Sequence, residues 1–273
     1  MIRGNRWIAF LIMAVSFAIA HSAPAQDLRQ VVQEAVTTEL TAGKADQTHW
    51  LYYEMDKKPN NSILQWVAET PESDLHRVIE ENGHRFSEAQ QQERMDRFLK
   101  DRGAQSRERK KQEDDLKQTV DLLNLLPEAF LWTSAGERSA ETTLHFKPDP
   151  KFRAPSREAR ILSGVEGDLV LNTAQHRIIS LKGQLIHDVK FGGGLLGELK
   201  AGGNFDIERR EVSQGEWQIT ETHVHFAGRM LLFKSVSEQE DDEKSAFRQI
   251  PSSLSLDRAA ETLLQLGDLA RNQ

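Results

Sequence analysis

His223 and His225 stand two residues apart in the run Glu-Thr-His-Val-His-Phe. On a strand that spacing puts both imidazoles on one face, where they could chelate a metal ion. Two ligands do not complete a site, and the nearby His187, Asp188 and Glu221 are tied to the pair by no spacing rule. Gly192, Gly193, Gly194 and Gly197 could bare backbone N–H groups to a phosphate, but no Gly-Lys-Ser/Thr follows them and their flanks read as antiparallel strands. A flexible loop or lid with Leu195 and Leu196 as its apolar tip fits that pattern better. Neither Gly-x-Ser-x-Gly nor His-Glu-x-x-His occurs. The adjacent carboxylates Asp241 and Asp242 lie in Ser-Glu-Gln-Glu-Asp-Asp-Glu-Lys, which reads as a solvated acidic loop. The expectation is therefore a chain with no catalytic residue, no metal and no cofactor.

Aromatic side chains offer a different chemistry. Trp50 and Tyr52 share one face of a strand, Leu64 and Trp66 share one face of the next, and Trp217 opens a later strand. Such positions serve as ordinary sheet core or as the wall of an apolar pocket. As a pocket, Trp50, Tyr52, Leu64, Trp66 and Trp217 would form the wall and Leu195 and Leu196 a movable lip.

The elements that carry these residues follow from periodicity and turn chemistry. Residues 27–41 space Leu28, Val31, Val32, Ala35 and Leu40 as one helical face. His49–Met55 and Ser62–Thr70 read as a hairpin closed around Lys-Lys-Pro-Asn-Asn, and Leu75–Glu80 as a third strand ending at Asn82-Gly83. Ser87 with Gln90 forms a capping-box pattern that opens a highly charged helical insertion over 87–126, which Gly103 could divide in two. The middle of that insertion mixes Arg107, Arg109, Lys110 and Lys111 with Glu113, Asp114 and Asp115, favouring pairs along a solvated helix over a phosphate-binding stripe. Strand character returns at Thr142–Lys147. Residues 164–234 then read as an antiparallel meander, and 255–271 as an amphipathic helix.

Composition bounds the setting. The first 25 residues carry Arg3 and Arg6, the apolar run Trp7–Ala20 and then Ala23-Pro24-Ala25, the pattern of a cleavable export signal cut after Ala25. The apolar run is about 14 residues, short of the roughly 20 that a membrane-spanning helix needs. The mature chain is thus expected in the periplasm with no integral membrane segment. Having no cysteine, the chain forms no disulfide and carries no lipid on an N-terminal cysteine. Loss of two of the 35 basic residues and none of the 42 acidic ones takes the formal charge from −7 to −9, which argues against nucleic acid as a partner.

Three stretches carry a family likeness: GDLVLNTAQHRIISLKGQL, GELKAGGNFDIERREVSQGEWQITETHVHFAGRMLLFK and the motif ENGHRFSEAQ ahead of the insertion. Together they resemble exported proteins of the outer-membrane lipoprotein-sorting (LolA/LolB-like) superfamily, most nearly an acidobacterial-type branch with a charged helical insertion. The likeness runs from about His49 to Phe247. It implies an α+β fold in which a curved antiparallel sheet, a half-barrel, packs against helices as a single domain over 26–273. It also implies a concave apolar face that holds acyl chains. The chain departs from the carriers in its insertion, in Asn172 and in lacking a recognisable arginine switch. The function expected is a non-enzymatic periplasmic protein that binds a lipid or the acyl chain of a lipoprotein or other envelope protein. The alternative is an envelope structural or interaction module whose charged helical arm binds a protein partner.

Overall fold

The computed structural model describes residues 25–156, 158–191, 197–230 and 239–266. Residues 1–24 of the expected export signal, Leu195 and Leu196, and the last residues of the expected C-terminal helix lie outside them.

Helix α1 (Ala25–Ala45) leads into a hairpin of β1 (His49–Lys58) and β2 (Asn61–Ala68), turned at Pro59-Asn60. Next come β3 (Leu75–Glu81) and the two-residue β4 (His84–Arg85). Asn82 and Gly83 between them take φ of 54° and 76°, the left-handed region that a two-residue turn requires. Helix α2 (Glu88–Lys100) starts at the expected capping box: Gln90 N–H donates to Ser87 Oγ, and Ser87 N–H donates to the Gln90 side chain. The break before α3 (Arg102–Ala129) falls at Asp101 rather than Gly103, because the Asp101 carboxylate accepts the Ala104 N–H and caps the new helix. Pro127 does not stop α3 as expected; it sits in the last turn, and the helix ends at Ala129.

The chain then builds β5 (Phe130–Arg138), β6 (Glu141–Pro148), the 3₁₀ turn η1 (Glu158–Gly164), β7 (Val165–Asn172) and β8 (Arg177–Leu185). A small sheet of β9 (Val189–Phe191), β10 (Gly197–Leu199) and β13 (Gly228–Met230) stands apart. β11 (Asn204–Ser213), β12 (Glu216–His225), β14 (Gln239–Ile250) and helix α4 (Leu256–Leu264) complete the order. The class is α+β, with one open antiparallel sheet of eleven strands ordered β4-β3-β2-β1-β14-β12-β11-β8-β7-β6-β5. Two facts differ from the sequence reading. β5 is a strand of its own, and the supposed acidic loop is β14, which joins the two halves of the sheet by pairing β1 on one side and β12 on the other. Helices α2 and α3 carry the chain from the β4 edge to the β5 edge, and the later strands walk back to the middle.

Cross-strand partners project to the same face. Following the register Leu169, Leu181, Ile207, Thr222, Asp242, Asp56 therefore traces one face across the sheet. Over β5 to β8 this face is sealed by Val32, Ala35 and Val36 of α1 and Leu126 of α3, packed on Phe130, Trp132, Leu144, Phe146 and Leu169. At the hairpin end the opposite face is the packed one: Leu51, Trp66, Leu75 and Ile79 lie under Met95 of α2 and Ala259 and Leu263 of α4. The buried Arg77 ties these helices together, donating to the Gln91 side chain and to the carbonyls of Leu263 and Leu266. No described helix is long and apolar enough to cross a membrane.

Candidate functional site

The α1-bearing face changes character once it reaches β14 and β1. Alternation places Tyr52, Glu54 and Asp56 of β1, Gln65 of β2, His76 of β3 and Asp242 and Lys244 of β14 on it, joined by Glu69 and Asp74 from the β2–β3 connection. Lys244 Nζ lies 3.5 Å from Glu54 and 3.2 Å from Asp242, and 5.4 Å from the centre of the Tyr52 ring. Burial opposes its charge, but Asp242 and Glu54 outweigh that and hold its pKa above the ordinary lysine range. The acids are less well served. Burial pushes Glu69 up to about 7 against the Trp50 N–H that it accepts, Asp74 up to about 7 and Asp242 up to about 6. His76 is pushed down by burial despite Glu54 and Glu108, and its Nε2 is 3.9 Å from the Glu108 carboxylate of α3. Asp56 and Asp242 oppose one another across the ladder, and each keeps one buried oxygen without a hydrogen-bond partner among the described residues. This end of the face is a charged chamber, not a packed core.

Beside it the sheet parts. β14 pairs β1 along nearly its whole length but pairs β12 only from Gln239 to Glu243. From Lys244 onward the two strands diverge around a cleft of about 580 Å³. Tyr53, Met55, Leu64, Val212 and Phe247 give it an apolar lining, and Arg210, Glu211, Glu221, Glu243 and Lys244 a charged one. Its geometry depends on a bulge in β14, where Ala246 takes φ of 54° and Phe247 is turned onto the Tyr52 ring, with centroids 5.4 Å apart.

The expected wall residues are thus separated. Trp50 and Tyr52 come together with Val67 and Phe247 as a small closed cluster. Leu64 lies on the other face of the hairpin, opposite Met55, and lines the cleft directly. Trp66 also faces away from Trp50, edge-on to Tyr53 at 5.3 Å, fully buried in the cluster formed with α2 and α4. Trp217 lies elsewhere, its indole N–H 2.7 Å from Gln175 and its ring beside Arg177. There Arg177 of β8 and Arg209 of β11 clamp Glu39 of α1, which is nearly inaccessible, and fasten α1 to the sheet. Burial raises the Glu39 pKa, but the two guanidinium groups overcome this and hold it below the ordinary value.

His223 and His225 do share a face, and both meet one oxygen of Asp241, at 2.7 and 3.0 Å. The hydrogen bond to Asp241 raises the His223 pKa. No group of three metal-ligating side chains arranged to hold an ion occurs among the described residues. Asp241 and Asp242, assigned to a solvated loop by composition, are instead strand residues on opposite faces, one meeting the histidines and the other the chamber. Sequence reasoning missed the cleft and the chamber for one reason: both need β14, whose charged alternation carries no apolar signal.

No protein-family profile, no characterised protein and no solved structure matches this chain.

Proposed function

We propose that the chain is a non-enzymatic, periplasmic protein that binds an amphipathic lipid or the acyl chain of a lipidated partner. The apolar part sits in the cleft between β12 and β14. The observation that carries this reading is the cleft itself: its volume is that of a small-molecule site, and five apolar side chains line it beside charged ones. Removing apolar surface from water contributes about 25 cal/mol per Å², so a single acyl chain on Tyr53, Met55, Leu64, Val212 and Phe247 gains useful affinity.

The reading includes the half-barrel of the lipoprotein-sorting superfamily that the meander resembles. The reach of α3 bounds such curvature. Glu108 of α3 meets β3, and α3 runs into β5 at Phe130, a helical span of about 32 Å. β3 and β5 are nine strand steps apart in the sheet, roughly 43 Å if it were flat. The helical span is below the flat width, and the Glu108 and His76 side chains make up much of the remainder, so α3 fits a sheet that is open and at most gently bent.

The test is titration of the purified chain with a fluorescent fatty-acyl probe, alongside mass spectrometry of lipids that co-purify under native conditions. Saturable binding is expected, and Leu64→Asp, at a half-buried cleft position, abolishes it with the thermal midpoint little changed. Unaltered binding by that variant removes the cleft as the site. Trp50, Tyr52 and Trp66 are too buried for such a test, since aspartate there would unfold the hairpin. A second reading, an interaction module working through the charged arm, is favoured by Leu116, which is 66% exposed among the charges of α3. Deleting residues 102–115 with probe binding intact and a partner lost would support it.

A further inference from the structure

The β12–β14 ladder stops where Glu221 meets Glu243, so Glu216–Thr220 of β12 pair with β11 on one side and with no described strand on the other. Among the described residues no further backbone hydrogen bond reaches this edge, and of its carbonyls only that of Trp217 accepts from a side chain, Arg209. A free strand edge is a template for another chain, because its N–H and C=O groups repeat at the spacing of a strand. The facing edge of β14 is spoiled for that purpose by the bulge at Ala246. The edge of β12 is not blunted by a charge; it carries Ile219, which is 40% exposed. Next to it Thr220 lines the cleft and is 7% exposed, and its hydroxyl is buried with no partner among the described residues. A hydrocarbon chain lying there would leave the hydroxyl and the edge groups unpaired, whereas a peptide backbone supplies donors and acceptors to both.

Charge beside the edge narrows the kind of peptide. Arg210 pairs with Glu221 and Glu208, Arg209 with Glu39, and Lys244 with Glu54 and Asp242. Glu211, Glu216 and Glu243 are left in no ion pair with a lysine or arginine among the described residues. We propose that the free edge of β12 binds an extended, basic polypeptide segment of a partner protein, which adds as a strand beside Glu216–Thr220. Backbone pairing supplies the affinity, an apolar side chain of the peptide covers Ile219, and its lysines or arginines meet the three carboxylates. The proposal does not rest on acyl binding. The peptide shares the cleft with the acyl site but not most of its lining, since Tyr53, Met55 and Leu64 stand on β1 and β2, beyond β14.

The probe is a fluorescein-labelled peptide of alternating lysine and valine around a central threonine, titrated into the full chain by anisotropy at low ionic strength. Saturable binding is expected, and the amide groups of Trp217–Thr220 gain protection from hydrogen exchange when the peptide is present. Methylating every backbone nitrogen of the peptide keeps its charge and side chains but removes its donors, and is expected to weaken binding about tenfold or more. Ile219→Lys places a charge on the edge at an exposed position, and is expected to abolish peptide binding while the fatty-acyl probe titrates as in the parent. Absence of saturable peptide binding overturns the proposal. So does equal binding of the methylated peptide, which would mean ionic contact only, or protection that falls elsewhere and leaves Trp217–Thr220 unchanged. Peptide binding without acyl binding would sink the lipid reading and leave this one standing.

Discussion

One face of the eleven-stranded sheet is used in two opposite ways. Over β5 to β8 it carries Phe130, Trp132, Leu144, Phe146 and Leu169 beneath α1, closed and dry. Over β1, β2 and β14 it carries Glu54, Gln65, Asp242 and Lys244, joined by His76, Glu69 and Asp74. The backbone is ladder-bonded in both regions except where β14 leaves β12, so most of the difference lies in the side chains. The first region contributes stability by removing apolar area from water. The second holds several carboxylates where their charged forms are disfavoured, which lowers stability at neutral pH. A region kept unfavourable in this way is a better place to look for regulated behaviour than the region that packs.

The contrast can be broken by mutation, beginning in the packed half. Phe146→Ala removes a fully buried ring that touches Phe130 and Trp132, and is expected to lower unfolding free energy by about 3–5 kcal/mol in denaturant titration. A loss under 1 kcal/mol would mean that this half is loosely packed, and the contrast would fail.

In the chamber the sign reverses. Asp74 has a folded pKa of about 7 against roughly 4 unfolded, so the folded state binds more protons between those values. Its contribution to stability is therefore present below about pH 4, is lost as pH rises toward 7, and stays lost above. Asp74→Asn should then stabilise the chain by roughly 1–3 kcal/mol at pH 8, with the gain shrinking as pH falls. Thermal melts across pH 5 to 8 measure this, and a destabilised variant at pH 8 would show that the carboxylate is held by favourable contacts. The smallest effect lies outside both regions: Ser87→Ala removes the cap of α2 and should cost about 1 kcal/mol with no pH dependence, a reference for an ordinary surface change.

Much of the fold is legible in local chemistry. The β1–β2 hairpin shows in aromatic and branched residues around Pro59-Asn60, and the β3–β4 turn in Asn82-Gly83. The start of α2 shows in Ser87 and Gln90, and the meander in alternation broken by turn residues. Each is decided by a handful of neighbours, so a short window suffices. The candidate site is much less legible. Alternation pairs Trp50 with Tyr52 and Leu64 with Trp66, but whether those pairs share a wall depends on register between strands, and Tyr53 opposite Trp66 puts them on opposite faces.

By itself, then, the sequence determined the hairpin, the capped charged helices and the antiparallel meander, because backbone propensity and turn geometry act over a few residues. Only the tertiary structure decided that Gln239–Ile250 is a strand, since Glu240, Asp241, Asp242, Glu243 and Lys244 have no apolar face to announce one. What makes them a strand is the hydrogen-bonding edges of β1 and β12 on either side, residues far away in the chain. The cleft and the charged chamber both follow from that placement.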